Sequence, residues 1–161
     1  MSHLLDHVGD RPVRHFGDGE VLIAEGETDT PLFVLSDGRL LVERDGQRIA
    51  MVDQPGAVLG EISMLLGVPA TASVRAVEGA SVHVVDAADA GIIDDAAVMG
   101  DVARLLAARL QAMVTYLVDV KQQYADASGH LGLVDDVLGQ LTFGVAGDVE
   151  SGSERDPEPY Y

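Results

Sequence analysis

The stretch LGEISMLLGVPATASVRA, Leu59 to Ala76, combines residue types suited to holding a small anion. Gly60 has no side chain, so it lets the main chain come close to a ligand. The apolar run from Glu61 is short. As a helix it would turn backbone N–H groups and the positive end of its dipole toward a phosphate. Pro69 stops that helix, and Thr71 offers a hydroxyl donor just beyond it. The run holds two charges, Glu61 near its start and Arg75 near its end. A cradle of this kind therefore has no cation at its centre.

The flanking sequence shows what must position these residues. From Arg11 to about Ala87, short runs rich in Val, Leu and Ile alternate with turn residues: RPVRHF, EVLIA, PLFVLS, RLLVERD, QRIAMVD, TASVRAVEG and SVHVVDA. Asp45-Gly46 between two such runs is a hairpin signal. About eight short strands with frequent turns predict a mainly β domain, a barrel or jelly roll with one short helix in the cradle. The period then changes. Met99, Ala103, Leu106, Leu110, Met113, Leu117, Val120, Tyr124 and Ala127 recur at spacings of four and three. That is a heptad seam on a helix of about eight turns. Val102, Leu105, Val114 and Val118 widen the apolar face, so the helix can touch both a partner helix and its own barrel.

SGHLG at 128–132 ends that helix. A shorter amphipathic helix is expected over 128–143, with Leu131, Val134, Leu138 and Leu141 on one side. The remainder, 144–161, is acidic and rich in Gly, Ser and Pro, the composition of a disordered tail. The expected organisation is a sensor-like domain over 1–127, its long helix at about 96–127, then the short helix and the tail.

FGDGEVLIAEGETDTPLFVLSDGRLLV (Phe16 to Val42) resembles the opening of a cyclic nucleotide-binding domain, and PGAVLGEISMLLGVPATASVRA (Pro55 to Ala76) resembles that family's phosphate-binding cassette. LLAARLQ (Leu105 to Gln111) looks like the dimerising helix of the catabolite-activator branch. The three motifs stand in the family's order over roughly Phe16 to Tyr124. The resemblance implies a site at Gly60, Glu61, Ile62, Ser63, Ala70, Thr71 and Ala72. In that site Glu61 accepts a hydrogen bond from a ribose 2′-hydroxyl and Thr71 donates to a phosphate oxygen. It further implies that Met113 walls the base, although the seam gives Met113 a plain packing role as well. The implied ligand is cAMP or cGMP, with no metal and no other cofactor. One departure stands out: Ala70 occupies the place of the arginine that usually pairs with the phosphate. Arg39, Arg75, Arg104 and Arg109 are the candidates to replace it.

Net charge is −17 with a pI near 4.3. Clustered Lys and Arg are needed to displace counterions from a duplex or to dock on anionic lipid, and ten basic residues scattered among 27 acidic ones do not supply them. Only about 15 residues follow Ser128 before the tail, too few for the winged helix of a transcription factor. The five histidines, His3, His7, His15, His83 and His130, form no H-x-H pair of the kind a metal-dependent cupin needs. No nucleophile motif is present either. With no basic-then-apolar leader and no long apolar run, the expectation is a cytoplasmic, non-enzymatic regulatory domain. It would form a homodimer through Met99 to Ala127 and signal to a partner protein. The alternative is a ligand-independent dimerisation or interaction module on the same fold.

Overall fold

The structure, a computed structural model, describes residues 4–86 and 95–123. The chain divides between Leu106 and Ala107 into two compact units. The first holds a short helix α1 (Leu4–Val8), strands β1 (Val13–Phe16), β2 (Val21–Ile23), β3 (Leu32–Arg44), β4 (Gln47–Val52) and β5 (Val58–Leu59), helix α2 (Glu61–Leu66) and strand β6 (Ser73–Val85). Helix α3 (Ala96–Gln123) begins in the first unit and its residues from 107 belong to the second. The short helix expected over 128–143, the tail, and the seam positions Tyr124 and Ala127 lie outside the described residues.

All strand pairs are antiparallel, in the order β1-β6-β3-β4, with β2 on β6 and β5 on β3. This is the jelly roll that the spacing of turns predicts, with six described strands instead of about eight. The difference has a physical cause. PLFVLS and RLLVERD are one strand, β3, and TASVRAVEG and SVHVVDA are one strand, β6. The residues read as turns are bends inside paired strands: the β3–β6 register shifts between Leu35 and Asp37 and again between Gly38 and Arg39. Gly38 has φ +97°, and a Cβ there would sit 2.3 Å from the Gly79 carbonyl oxygen and 2.6 Å from Ala80 Cα. Glycine bends the strand there without ending it, because no other residue fits so close a crossing.

β3 is buried on both faces over Leu32–Leu35, so its alternate side chains enter two cores. Phe33 and Leu35 join Phe16, Leu22, Leu40 and Val82 inside the barrel, where Phe16 meets Phe33 edge-on at 6.3 Å. Leu32 and Val34 face the other way, into a cluster with Val8, Val58, Val85, Val98 and Val102. The Asp95 carboxylate starts α3 by accepting from the Ala97 N–H (2.8 Å) and the Val98 N–H (3.4 Å). The expected contact between the long helix and its own barrel is made by these first turns, through Val98, Val102, Leu105 and Leu106.

Candidate functional site

The cradle opens at the end of β5. Gly60 takes φ 89°, ψ −5°, a left-handed conformation, and serves as the N-cap of α2. A Cβ on it would lie 2.6 Å from the Pro31 carbonyl oxygen, so the backbone before β3 passes directly against this glycine. The Gly60 carbonyl accepts the first helical bond from Met64 N–H at 3.1 Å. No side chain caps the amino end of α2. Gly67, also left-handed, closes the helix, and its N–H and that of Val68 both go to the Ser63 carbonyl. Glycine at each end thus fixes a helix of six residues that has little helical stability of its own.

The expected site residues divide by exposure. Glu61 and Ser63 are buried in the first turn of α2, Glu61 at 3% exposure. A carboxylate is favoured there by the positive end of the helix. Ile62 points outward, 42% exposed. Beyond Pro69, Ala70 turns inward, and its methyl belongs to the barrel core. Its main chain is bonded on both sides: Ala70 N–H donates to Glu27 O at 2.8 Å, and Gly26 N–H donates to Ala70 O at 2.7 Å. Thr71 is exposed and Ala72 half-buried. Glu25 N–H donates to Ser73 Oγ at 2.9 Å, so the turn after β2 covers the end of the cassette. Gly60, Glu61, Ser63, Ala70, Thr71 and Ala72 thus lie along one segment clamped by the residues around 24–31. Met113 lies on α3 in the second unit, 53% exposed.

The arginine candidates are placed as follows. Arg39 pairs with Glu78 at 3.5 Å on the surface. Arg75 reaches Glu43 at 2.8 Å across β6 and β3, between the buried Val74 and Ala76 that face the other way. Arg104 pairs with Asp101, one turn earlier on α3. Among the described residues no Lys or Arg is buried.

One polar group of this region was not legible in the sequence. Thr30 is 4% exposed, and its hydroxyl has no hydrogen-bond partner among the described residues. It adjoins Pro31, whose carbonyl faces Gly60. An unmet buried hydroxyl costs about 1–3 kcal/mol. The available sign was a Thr-Pro pair immediately before an apolar run.

Known proteins share the family profile and the fold of this region. Residues 13–91 match the family profile of the cyclic nucleotide-binding domain. A cGMP-dependent protein kinase of Caenorhabditis elegans is 37% identical over 68 residues, 42% of this chain and 9% of the kinase, so the chain spans a small part of the curated relatives it matches. Among solved structures, the catabolite activator protein of Thermus thermophilus is 25% identical, with a TM-score of 0.62 over 75% of this chain and 60% of that one. A cAMP-binding acyltransferase from Mycobacterium smegmatis is 28% identical, with a TM-score of 0.54 over 68% of this chain and 36% of that one.

Proposed function

From the match of residues 13–91 to the family profile of the cyclic nucleotide-binding domain, we propose that the chain is a non-enzymatic regulatory domain of that family, which takes a cyclic nucleotide in the Gly60–Ala72 cassette. The observation that carries the reading is the left-handed Gly60 at the uncapped amino end of α2, pressed against Pro31. It presents backbone amides where a phosphate can meet them without a side chain in the way. Glu61 would take the ribose hydroxyl and Thr71 a phosphate oxygen. Relatives named for cGMP and for cAMP both support a cyclic nucleotide as ligand, and either purine is a candidate.

Binding is weak by the standard of an arginine-bearing cassette. Ala70 contributes a methyl to the barrel core, and Arg39 and Arg75 are engaged with Glu78 and Glu43. A charge-assisted hydrogen bond is worth about 1.5–3 kcal/mol, so its absence lowers affinity roughly ten- to 150-fold. Occupancy is relayed through α2. Met64 packs against the cluster that also holds Val8, Val98, Val102, Leu105 and Leu106, so a shift of the cassette helix repacks the first turns of α3. The ligand moves that equilibrium only by preferring one arrangement. No helix among the described residues is long and apolar enough to cross a membrane, and the reading takes the cytoplasm as its setting.

Titration calorimetry with cAMP and with cGMP tests the reading. Saturable heat at ligand concentrations of tens of micromolar to millimolar is expected, and none at millimolar ligand overturns it. A second reading, a dimerisation module indifferent to nucleotide, is favoured by the exposure of Leu110, Met113, Tyr116 and Val118 on α3. Sedimentation with and without nucleotide separates the two. A dimer of unchanged stability in both supports the second reading, whereas a monomer in both removes the proposed seam.

A further inference from the structure

The sequence holds three Asp-Gly steps, Asp18-Gly19, Asp37-Gly38 and Asp45-Gly46. Such a step is open to chemistry of its own, because glycine has no side chain to shield its amide nitrogen from the preceding carboxyl. The structure gives the three steps different freedom. At the first, both reacting groups are held: Gly19 N–H donates to Ala76 O at 2.8 Å, and Asp18 Oδ1 accepts from Glu78 N–H at 2.8 Å. At the second, Asp37 and Gly38 lie inside β3 opposite Ser81 and Ala80. A Cβ on Gly38 would sit 2.3 Å from Gly79 O, so the peptide there cannot turn without parting β3 from β6.

The third step stands at a hairpin tip. Asp45 and Gly46, at φ 51° and 72°, join β3 to β4 beyond the last strand pair, Arg44 with Gln47. β4 is the end strand in the order β1-β6-β3-β4, so the tip can open by releasing that pair alone. Among the described residues the Gly46 N–H makes no hydrogen bond, and nothing lies within 4 Å of where a Cβ would stand. The Asp45 side chain is 82% exposed, with Arg44 Nε a loose 3.8 Å from its Oδ2. Glu25 tethers the turn by accepting from Asp45 N–H at 3.1 Å, which leaves both reacting groups untouched.

We propose that Asp45-Gly46 is a site of spontaneous covalent modification, at which the folded chain isomerises to isoaspartate. The Gly46 nitrogen attacks Asp45 Cγ in the neutral carboxyl form. The N–Cγ bond forms, the Cγ–OH bond breaks, and the amide proton leaves with that hydroxyl as water. Water then opens the five-membered imide at either carbonyl, restoring aspartate or routing the main chain through Cγ. No oxidant, reductant or cofactor takes part. The product has an extra methylene in the main chain of a two-residue turn and a free α-carboxylate. That carboxylate is the group which an isoaspartate-specific methyltransferase esterifies.

The test holds the full chain, folded, at neutral pH and physiological temperature for several weeks. Isoaspartate is then located by digestion, enzymatic methylation with S-adenosylmethionine and mass spectrometry. At Asp45 it should accumulate at least about tenfold faster than at Asp18 or Asp37, and in urea the three rates should converge. Equal rates in the folded chain, or a faster rate at either other step, would overturn the proposal. Asp45→Asn gives a second readout, since asparagine tolerates a left-handed turn. It closes the same imide by losing ammonia, and hydrolysis leaves the chain one dalton heavier. This conversion should also run at least about tenfold faster than in Asp37→Asn. Matching rates in the two variants would equally overturn the assignment.

Discussion

The barrel and the second half of α3 satisfy their apolar residues in opposite ways. In the barrel, closeness is set by backbone: Gly38 lies against Gly79 and Ala80, and Gly60 lies against Pro31, with no room for one added carbon. Along α3 beyond residue 106, Leu110, Met113, Tyr116 and Val118 are each at least a third exposed. The same helix buries Val98 and Val102 almost completely a few turns earlier. Both stretches carry apolar side chains; what differs is how far those side chains are covered. Tight backbone crossings specify one arrangement of a single chain, whereas open side chains leave the choice of cover to other segments or molecules.

Substitution can break that contrast, and the largest effect is expected where strands cross. Gly38→Val should destabilise by about 3 kcal/mol or more, from positive φ together with overlap on Gly79 and Ala80. Urea unfolding reads this, and near wild-type stability would show that the crossing yields easily. Gly60→Ala should cost about 2 kcal/mol by the same two mechanisms, and it should also abolish nucleotide heat in calorimetry. Val102→Ala, in the packed half of α3, should cost about 2 kcal/mol. Val118→Ala, in the open half, should stay within about 0.5 kcal/mol. Equal losses at Val102 and Val118 would mean that the second half is covered as fully as the first. Ala70→Arg should tighten cyclic nucleotide binding about tenfold or more, read by calorimetry. An unchanged affinity would mean that another cation already serves the phosphate. The smallest change in stability is expected for Thr71→Val, under about 0.5 kcal/mol at this exposed position, with a several-fold loss of affinity.

Much of the fold is legible in local chemistry. Turn residues punctuate the barrel, and Asp95 ahead of an apolar periodic run marks where α3 begins. The cassette is legible for a related reason: glycine, short apolar run, glycine and proline each impose a conformation without help from distant residues. The strand count is less legible, because a glycine that bends a paired strand looks the same in sequence as one that ends it. Gly38 and Gly79 are distinguished from turn glycines only by their meeting each other. Side-chain facing at Arg39 and Arg75 is set by register between β3 and β6, and that register shifts at bends which periodicity does not announce. The inward methyl of Ala70 depends on bonds to Gly26 and Glu27, more than forty positions earlier in the chain. Contacts of that sequence separation have no local signature.

The paired amide bonds joining Ala70 to Gly26 and Glu27 also single out a place for engineering. They pin the base of the turn after β2, while Asp29, at φ 58°, stands exposed beyond the pinned stretch. A reporter peptide spliced between Thr28 and Asp29 would be anchored to the cassette through the stitched backbone at its root. Such a fusion turns a clasp between two loops into a mounting point from which occupancy can be watched optically.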